Sequence, residues 1–207
     1  MNIFYLDPDP IKCAHYHCDA HVIKMTTEYA QLLSSAMWVY EPKKALALHR
    51  KGQIMNAPPH VTGRKINAHF NHRCMVWTRS SRQHFEWLKA LALELGQEYY
   101  RRYGWKKDRH HASLMNCIVH LYSTDKFPDN GFTPPPQAML EQYKGPNTVQ
   151  AYRRSYKYDK IRFARYTHRR VPFWLRDAYL RRWYESEEWT PYVSPHIHSG
   201  GQIVESS

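Results

Sequence analysis

Four side chains spaced to share one face of a helix offer the clearest chemistry in the sequence. His17, His21, Lys24 and Glu28 differ by four, three and four positions, which places them in one row on a continuous helix. A carboxylate, an ammonium and two imidazoles would converge there. Glu28 could then act as a general base or steady a developing positive charge, with His17 and His21 as proton carriers and Lys24 as an anion ligand or tuner. The plainer reading is a solvated helix face that continues through Gln31 and Ser35. On that reading Lys24 and Glu28 form an i,i+4 pair worth roughly 0.3 kcal/mol.

His17 and His21 also have the spacing at which two imidazoles share a zinc ion, with His72 or His110 as candidates for a third ligand. No His-Glu-x-x-His order and no CxxC pair accompanies them, so no metal or other cofactor is assigned. A second kind of chemistry resides in cations interleaved with rings. The stretch Ala151–Lys160 offers Arg153, Lys157 and Lys160 to phosphates and the rings of Tyr152 and Tyr156 to bases. The competing reading packs the two tyrosines, four residues apart, into a core. Trp77, Arg79 and Ser81 mix a ring, a guanidinium and a hydroxyl at a helix start, a reasonable phosphate site. Trp77 also suits a core.

The elements that must position these groups are mainly helical. The expected fold is mainly α, one compact helical domain over residues 1–184 with a long first helix and Pro-rich loops, and a basic C-terminal extension ending in an arm over 185–207. Residues 2–6 are β-prone, and Asp7-Pro8-Asp9-Pro10 then stops a strand and starts a helix. That helix is expected from about Pro10 to Tyr40, with Ala14, Cys18, Val22, Met25, Tyr29, Leu32 and Ala36 as its core stripe. Residues 41–72, with Pro42, Gly52, Pro58-Pro59 and Gly63, read as an irregular connector. A second long helix is expected from about Cys74 to Tyr103, capped by Gly104. Shorter helices are expected over about 108–123, 147–156 and 173–184, and Pro134-Pro135-Pro136 makes a rigid turn.

The totals agree with a nucleic-acid partner. Thirty Lys and Arg stand against eighteen Asp and Glu, a formal net charge of +12 in 207 residues, so attraction to polyanions is built in. Double-stranded DNA is the expected partner. Four scattered cysteines do not form a disulfide framework. With neither a signal-like start nor a membrane-length apolar run, the chain is expected to be cytoplasmic, with no membrane partner.

Several segments together resemble a protein family common in tailed phages. They are Met1-Asn2-Ile3-Phe4, Tyr16-His17-Cys18-Asp19-x-His21-Val22-Ile23-Lys24-Met25, Trp77-x-Arg79-x-Ser81, Pro134 to Met139 and Ala151-Tyr152-Arg153. More remotely, Asp19-x-His21 followed by Glu28 is similar to the first helix of the phage pyrimidine-dimer DNA glycosylases. Tyr156-Lys157-Tyr158-Asp159-Lys160 resembles their basic-aromatic C-terminal motif. The resemblance implies cleavage of an N-glycosidic bond in DNA. Glu28 would steady positive charge at C1′ while the chain's own α-amine attacks that carbon. Because Asn2 is bulkier than the residues that favour methionine removal, that amine would be Met1's. The arginine that precedes the family's glutamate is Thr27 here.

The leading expectation is therefore a DNA glycosylase acting on a damaged or modified base, possessing or lacking a strand-nicking lyase step. The alternatives are a metal-dependent phosphoesterase or nuclease and a non-catalytic nucleic-acid-binding phage accessory protein.

Overall fold

Asp9 opens the first helix as its sequence context implies. In the computed structural model, which describes residues 1–57 and 70–184, α1 spans Pro10–Tyr16. The Asp9 carboxylate accepts from the Ile11 and Lys12 amides, and Pro10 occupies the first position. There its missing N–H costs nothing. The expected continuous helix to Tyr40 is broken: His17 and Cys18 are extended, and α2 runs Asp19–Tyr40.

Tertiary polar partners cause the break. Arg102 donates to the carbonyls of His15 and His17, which a continuous helix would have used itself, and to Asp19 Oδ1 at 2.9 Å. Asp19 in turn accepts from the Thr167 amide and hydroxyl, while its own amide donates to the Arg165 carbonyl. These bonds offset the loss of helical ones. The apolar stripe survives the break, because Ala14, Cys18, Val22, Met25, Tyr29, Leu32 and Ala36 are all fully buried.

Residues 41–57 are less irregular than expected, since α3 covers Pro42–Arg50. Pro42 starts that helix rather than interrupting it, and Ala45 anchors it in the core. The remainder of the connector, 58–69, lies outside the described residues.

The second long helix is also two. α4 (Arg73–Ser80) and α5 (Arg82–Tyr99) meet at an extended Ser81, where the Arg82 amide leaves the helical pattern to donate to the Pro128 carbonyl at 2.7 Å. α5 passes into a π-turn over Tyr100–Gly104 and does not end on a glycine cap. Gly104 is required for a different reason: a Cβ there would collide with the Arg109 carbonyl, whose amide donates back to Gly104.

The helix expected over 108–123 shrinks to α6, Ala112–Asn116, followed by a single 3-10 turn at Ile118–His120. α7 spans Thr148–Tyr158, capped by the Asn147 side chain, and α8 spans Arg176–Tyr184. Residues 2–6 form no strand but lie extended in the core, with Ile3, Phe4, Tyr5 and Leu6 buried. One core unites this segment with the inner faces of α1, α2, α4, α5 and α7, including Met25, Tyr29, Phe85, Leu88, Tyr152 and Tyr156. The protein is thus mainly α with a single core, and the expected arm at 185–207 lies outside the described residues. Among the described residues no helix is long and apolar enough to cross a membrane.

Candidate active site

The N-terminal segment crosses the start of α2, and between them and the turn after α7 lies a cleft of about 320 Å³. Met1, Asn2, His21, Lys24, Glu28, Lys160 and Phe163 border it. Glu28 is held at two points: the Asn2 amide donates to Oε2 at 3.2 Å, and Lys24 Nζ lies 3.1 Å from Oε1. Met1, the residue before that amide, lies at the cleft as well. Met1, a carboxylate and an imidazole therefore border one cleft.

His21 is almost fully buried, packed face to face on Phe4 with ring centroids 4.1 Å apart and edge-on to Phe163. Its Nδ1 shares a 2.5 Å hydrogen bond with the Tyr156 hydroxyl. Burial, then neighbouring His17 and the charges of Lys160 and Lys24, push its pKa down to about 2. The imidazole is neutral at physiological pH. It can exchange a hydrogen bond with a substrate, but it does not carry a standing positive charge.

His17 does not join the cleft, which corrects its expected role as a proton carrier. The break before α2 turns it into the core, where it is fully buried. Its Nδ1–H donates to the Cys13 carbonyl at 2.7 Å, so Nε2 accepts from the Tyr29 hydroxyl at 3.0 Å. Tyr29 accepts in turn from the Phe4 amide. His17 thus positions Phe4, and Phe4 positions His21. The zinc pairing of His17 with His21 fails for the same reason, because both nitrogens of His17 are already used.

Desolvation lowers the pKa of His17 to about 4. Since the unfolded chain takes up protons below about pH 6.5 that this folded imidazole refuses, stability is intact above that pH. It falls as the pH drops toward the folded value. His17 alone should remove about 2 kcal/mol between pH 7 and pH 5, with His21 acting in the same direction. Urea midpoints measured at the two pH values check this, and equal midpoints would contradict the buried, neutral assignment.

Most of the expected nucleic-acid contacts prove to be structural. Tyr152 and Tyr156 are fully buried, so neither offers a face to a base. The Tyr152 hydroxyl lies 2.7 Å from Asn2 Oδ1 and 2.8 Å from the Pro136 carbonyl, and it accepts from the Ala138 amide. Asn2 Nδ2 donates to the Ala138 carbonyl. This knot fixes the residue whose amide holds Glu28. Arg153 pins the same segment by donating to the Leu6 carbonyl and pairing with Asp7, and its guanidinium lies over Trp174. Trp77 is buried against His84 and donates to the Thr133 carbonyl. Arg79 donates to the Phe70 carbonyl and covers its ring, and the Ser81 hydroxyl donates to Gln83. These three form the α4–α5 junction rather than a phosphate site.

Lys157 and Lys160 are half-buried, and Lys160, paired with Asp159, borders the cleft. Asn2, Phe4, Phe163 and Arg73 have no site role on the sequence pattern alone. Arg73 borders a second lobe of about 480 Å³, which shares Met1, Asn2 and Lys160 with the first and extends past Met139 and Lys144. For Asn2 and Phe4 the one available signal is their place in the Met1-Asn2-Ile3-Phe4 segment on which the family resemblance partly rests.

Among the described residues, one group has the geometry of a metal site, His15 with Glu94 and Glu98. Its carboxylates are already taken by Arg101, Arg102 and Arg169. Comparison of the chain with protein families, with curated proteins and with solved structures found no match.

Proposed function

We propose that the protein is a DNA N-glycosylase that removes a damaged or modified base, with Glu28 at the reaction centre. The observation that carries this reading is the meeting of the Glu28 carboxylate with the N-terminal segment in one cleft. Cleavage of an N-glycosidic bond develops positive charge at C1′, and a fixed carboxylate in a partly desolvated site opposes that charge most effectively. Glu28, whose side chain is 15% exposed, meets that requirement. Lys24 and Lys160 provide positive potential for the flanking phosphates, and neutral His21 supplies a hydrogen-bond partner to the departing base. A base inside a duplex cannot reach such a cleft, so the nucleotide would be swung out of the stack.

The Met1 amine is the nucleophile in this scheme. It attacks C1′ as the C1′–N bond breaks, the bonding pair leaves with the base, and the base takes up a proton. Ring opening of the adduct gives an imine that water hydrolyses. Borohydride reduces that imine to a stable amine, so a covalent protein–DNA product should form when ultraviolet-irradiated or base-modified duplex is incubated with the protein and the reductant. It should disappear when the N-terminal amine is blocked by carbamylation or acetylation. Base release without any trapped product would leave Glu28 acting on water and remove the amine from the scheme.

A metal-dependent phosphoesterase is less well supported, because the His17–His21 pair it would use is divided between core and cleft. A non-catalytic binding protein would need neither the Glu28 clamp nor the neutral His21.

A further inference from the structure

We infer that a groove between the C-terminal end of α7, the turn at 160–162 and α8 is the surface on which the protein grips the phosphate backbone of duplex DNA. This rests on the glycosylase reading for its place beside the reaction, and on its own geometry for its chemistry. The groove encloses about 810 Å³ and is lined by Lys157, Tyr158, Arg162, Arg181 and Arg182, with Asp177 the one carboxylate among its lining residues. A smaller recess shares Lys157 and Tyr158 and adds Arg154 and Trp174.

Unlike Tyr152 and Tyr156, Tyr158 is 64% exposed, and Lys157 Nζ lies 5.7 Å from its ring centroid. Arg162 has a side chain 75% exposed, and Arg181 is exposed as well. Cations beside an exposed ring suit phosphate and sugar contacts along a strand.

The groove is also placed to serve the cleft. Residues 160–163 form the wall between them: Lys160 and Phe163 face the cleft, and Ile161 and Arg162 face the groove. Asp159 stands at the crest, 2.7 Å from Lys160 Nζ and 3.8 Å from Arg162 Nε. A strand lying in the groove would therefore present a neighbouring nucleotide to Glu28 across a single turn of chain.

The test uses plain duplex DNA, so it does not depend on any reaction. Binding of a labelled, undamaged duplex is followed by fluorescence anisotropy across a salt series, for the full-length protein and for the triple variant K157Q/R162Q/R181Q. Loss of three phosphate contacts should flatten the slope of log affinity against log salt by about 2 to 3. Affinity at physiological salt should fall at least tenfold. The control K43Q/R50Q/K51Q removes equal charge from exposed positions on and just after α3. That helix begins beyond Tyr40, about 28 Å along α2 from His21.

The control should change the slope by less than half as much. Equal losses in both triple variants, or unchanged binding in the first, would overturn the groove. Circular dichroism melting confirms that each variant is folded. If the groove variant loses binding while the unaltered protein releases no base from any substrate, the groove stands and the glycosylase reading falls.

Discussion

Glu28→Gln should lower base release by about 10²–10⁴-fold while leaving affinity for plain duplex DNA within a factor of two. The amide keeps the shape of the carboxylate and can still accept the Asn2 amide, which now meets Glu28 at 3.2 Å. What it loses is the negative charge. That charge matters little to ground-state binding, where it pairs with Lys24 at 3.1 Å, but in the proposed reaction it would oppose the positive charge that develops at C1′ only in the transition state. The loss should therefore fall on kcat and leave KM nearly unchanged. Single-turnover kinetics with excess protein separate the two. Equal activity of the variant would place the chemistry elsewhere, and a parallel loss of DNA affinity would make Glu28 a structural residue.

Glu98→Ala should cost about 3–5 kcal/mol of stability, the range for breaking a buried ion pair from one side. Glu98 is fully buried and accepts from Arg101, from Arg102 Nε and Nη2, and from Arg169 in a bidentate contact. Burial would push its pKa up, but the hydrogen bonds from Arg169 and Arg101 and the charge of Arg102 outweigh that and hold it at about 2. Removing the carboxylate leaves Arg102, whose side chain is itself fully buried, with Asp19 as its remaining anion. In a domain of this size the loss should lower the melting temperature by about 6–20 °C. The pair replacement Glu98→Met with Arg102→Met should recover part of the loss, because no charge is then stranded. A single variant within 1 kcal/mol of the parent, read from urea curves with the ~1.4 kcal/mol per tenfold scale of folding equilibria, would show that the cluster is not the clamp described.

The contrast between these two residues shows what the sequence makes legible. Lys24 and Glu28 are four apart on one uninterrupted helix, so local periodicity alone places them together, and they do meet. The stripe from Ala14 to Ala36 is readable for the same reason, as are Asp9 and Pro10 as a helix start. Failures occur where a distant partner overrides the local pattern. Nothing near His17 announces that Arg102 takes its carbonyl and bends the chain, so an apparent fourth member of the polar row becomes a core residue. Ser81 looks like the interior of a helix until Pro128 supplies an acceptor to Arg82. Tyr152 and Tyr156 have the composition of a base-stacking surface, and only burial against Asn2, Phe4 and His21 assigns them to the core. Exposed Tyr158, two residues on, keeps the property that the composition implied for its neighbours.

Asn2 was illegible for a different reason. Its role depends on the convergence of three separated segments, its own, the Pro136–Ala138 turn and α7, and no periodicity within any one of them encodes that meeting.

Release of a base from DNA in the cleft beside Glu28 is what the proposed chemistry requires. Its most direct test is to incubate the protein with ultraviolet-irradiated, base-modified and plain duplex DNA and to identify free bases or abasic sites by liquid chromatography with mass spectrometry. Abasic sites should appear in one of the first two substrates and not in plain DNA. Absence of abasic sites in all three, from folded protein that binds each of them, would contradict it.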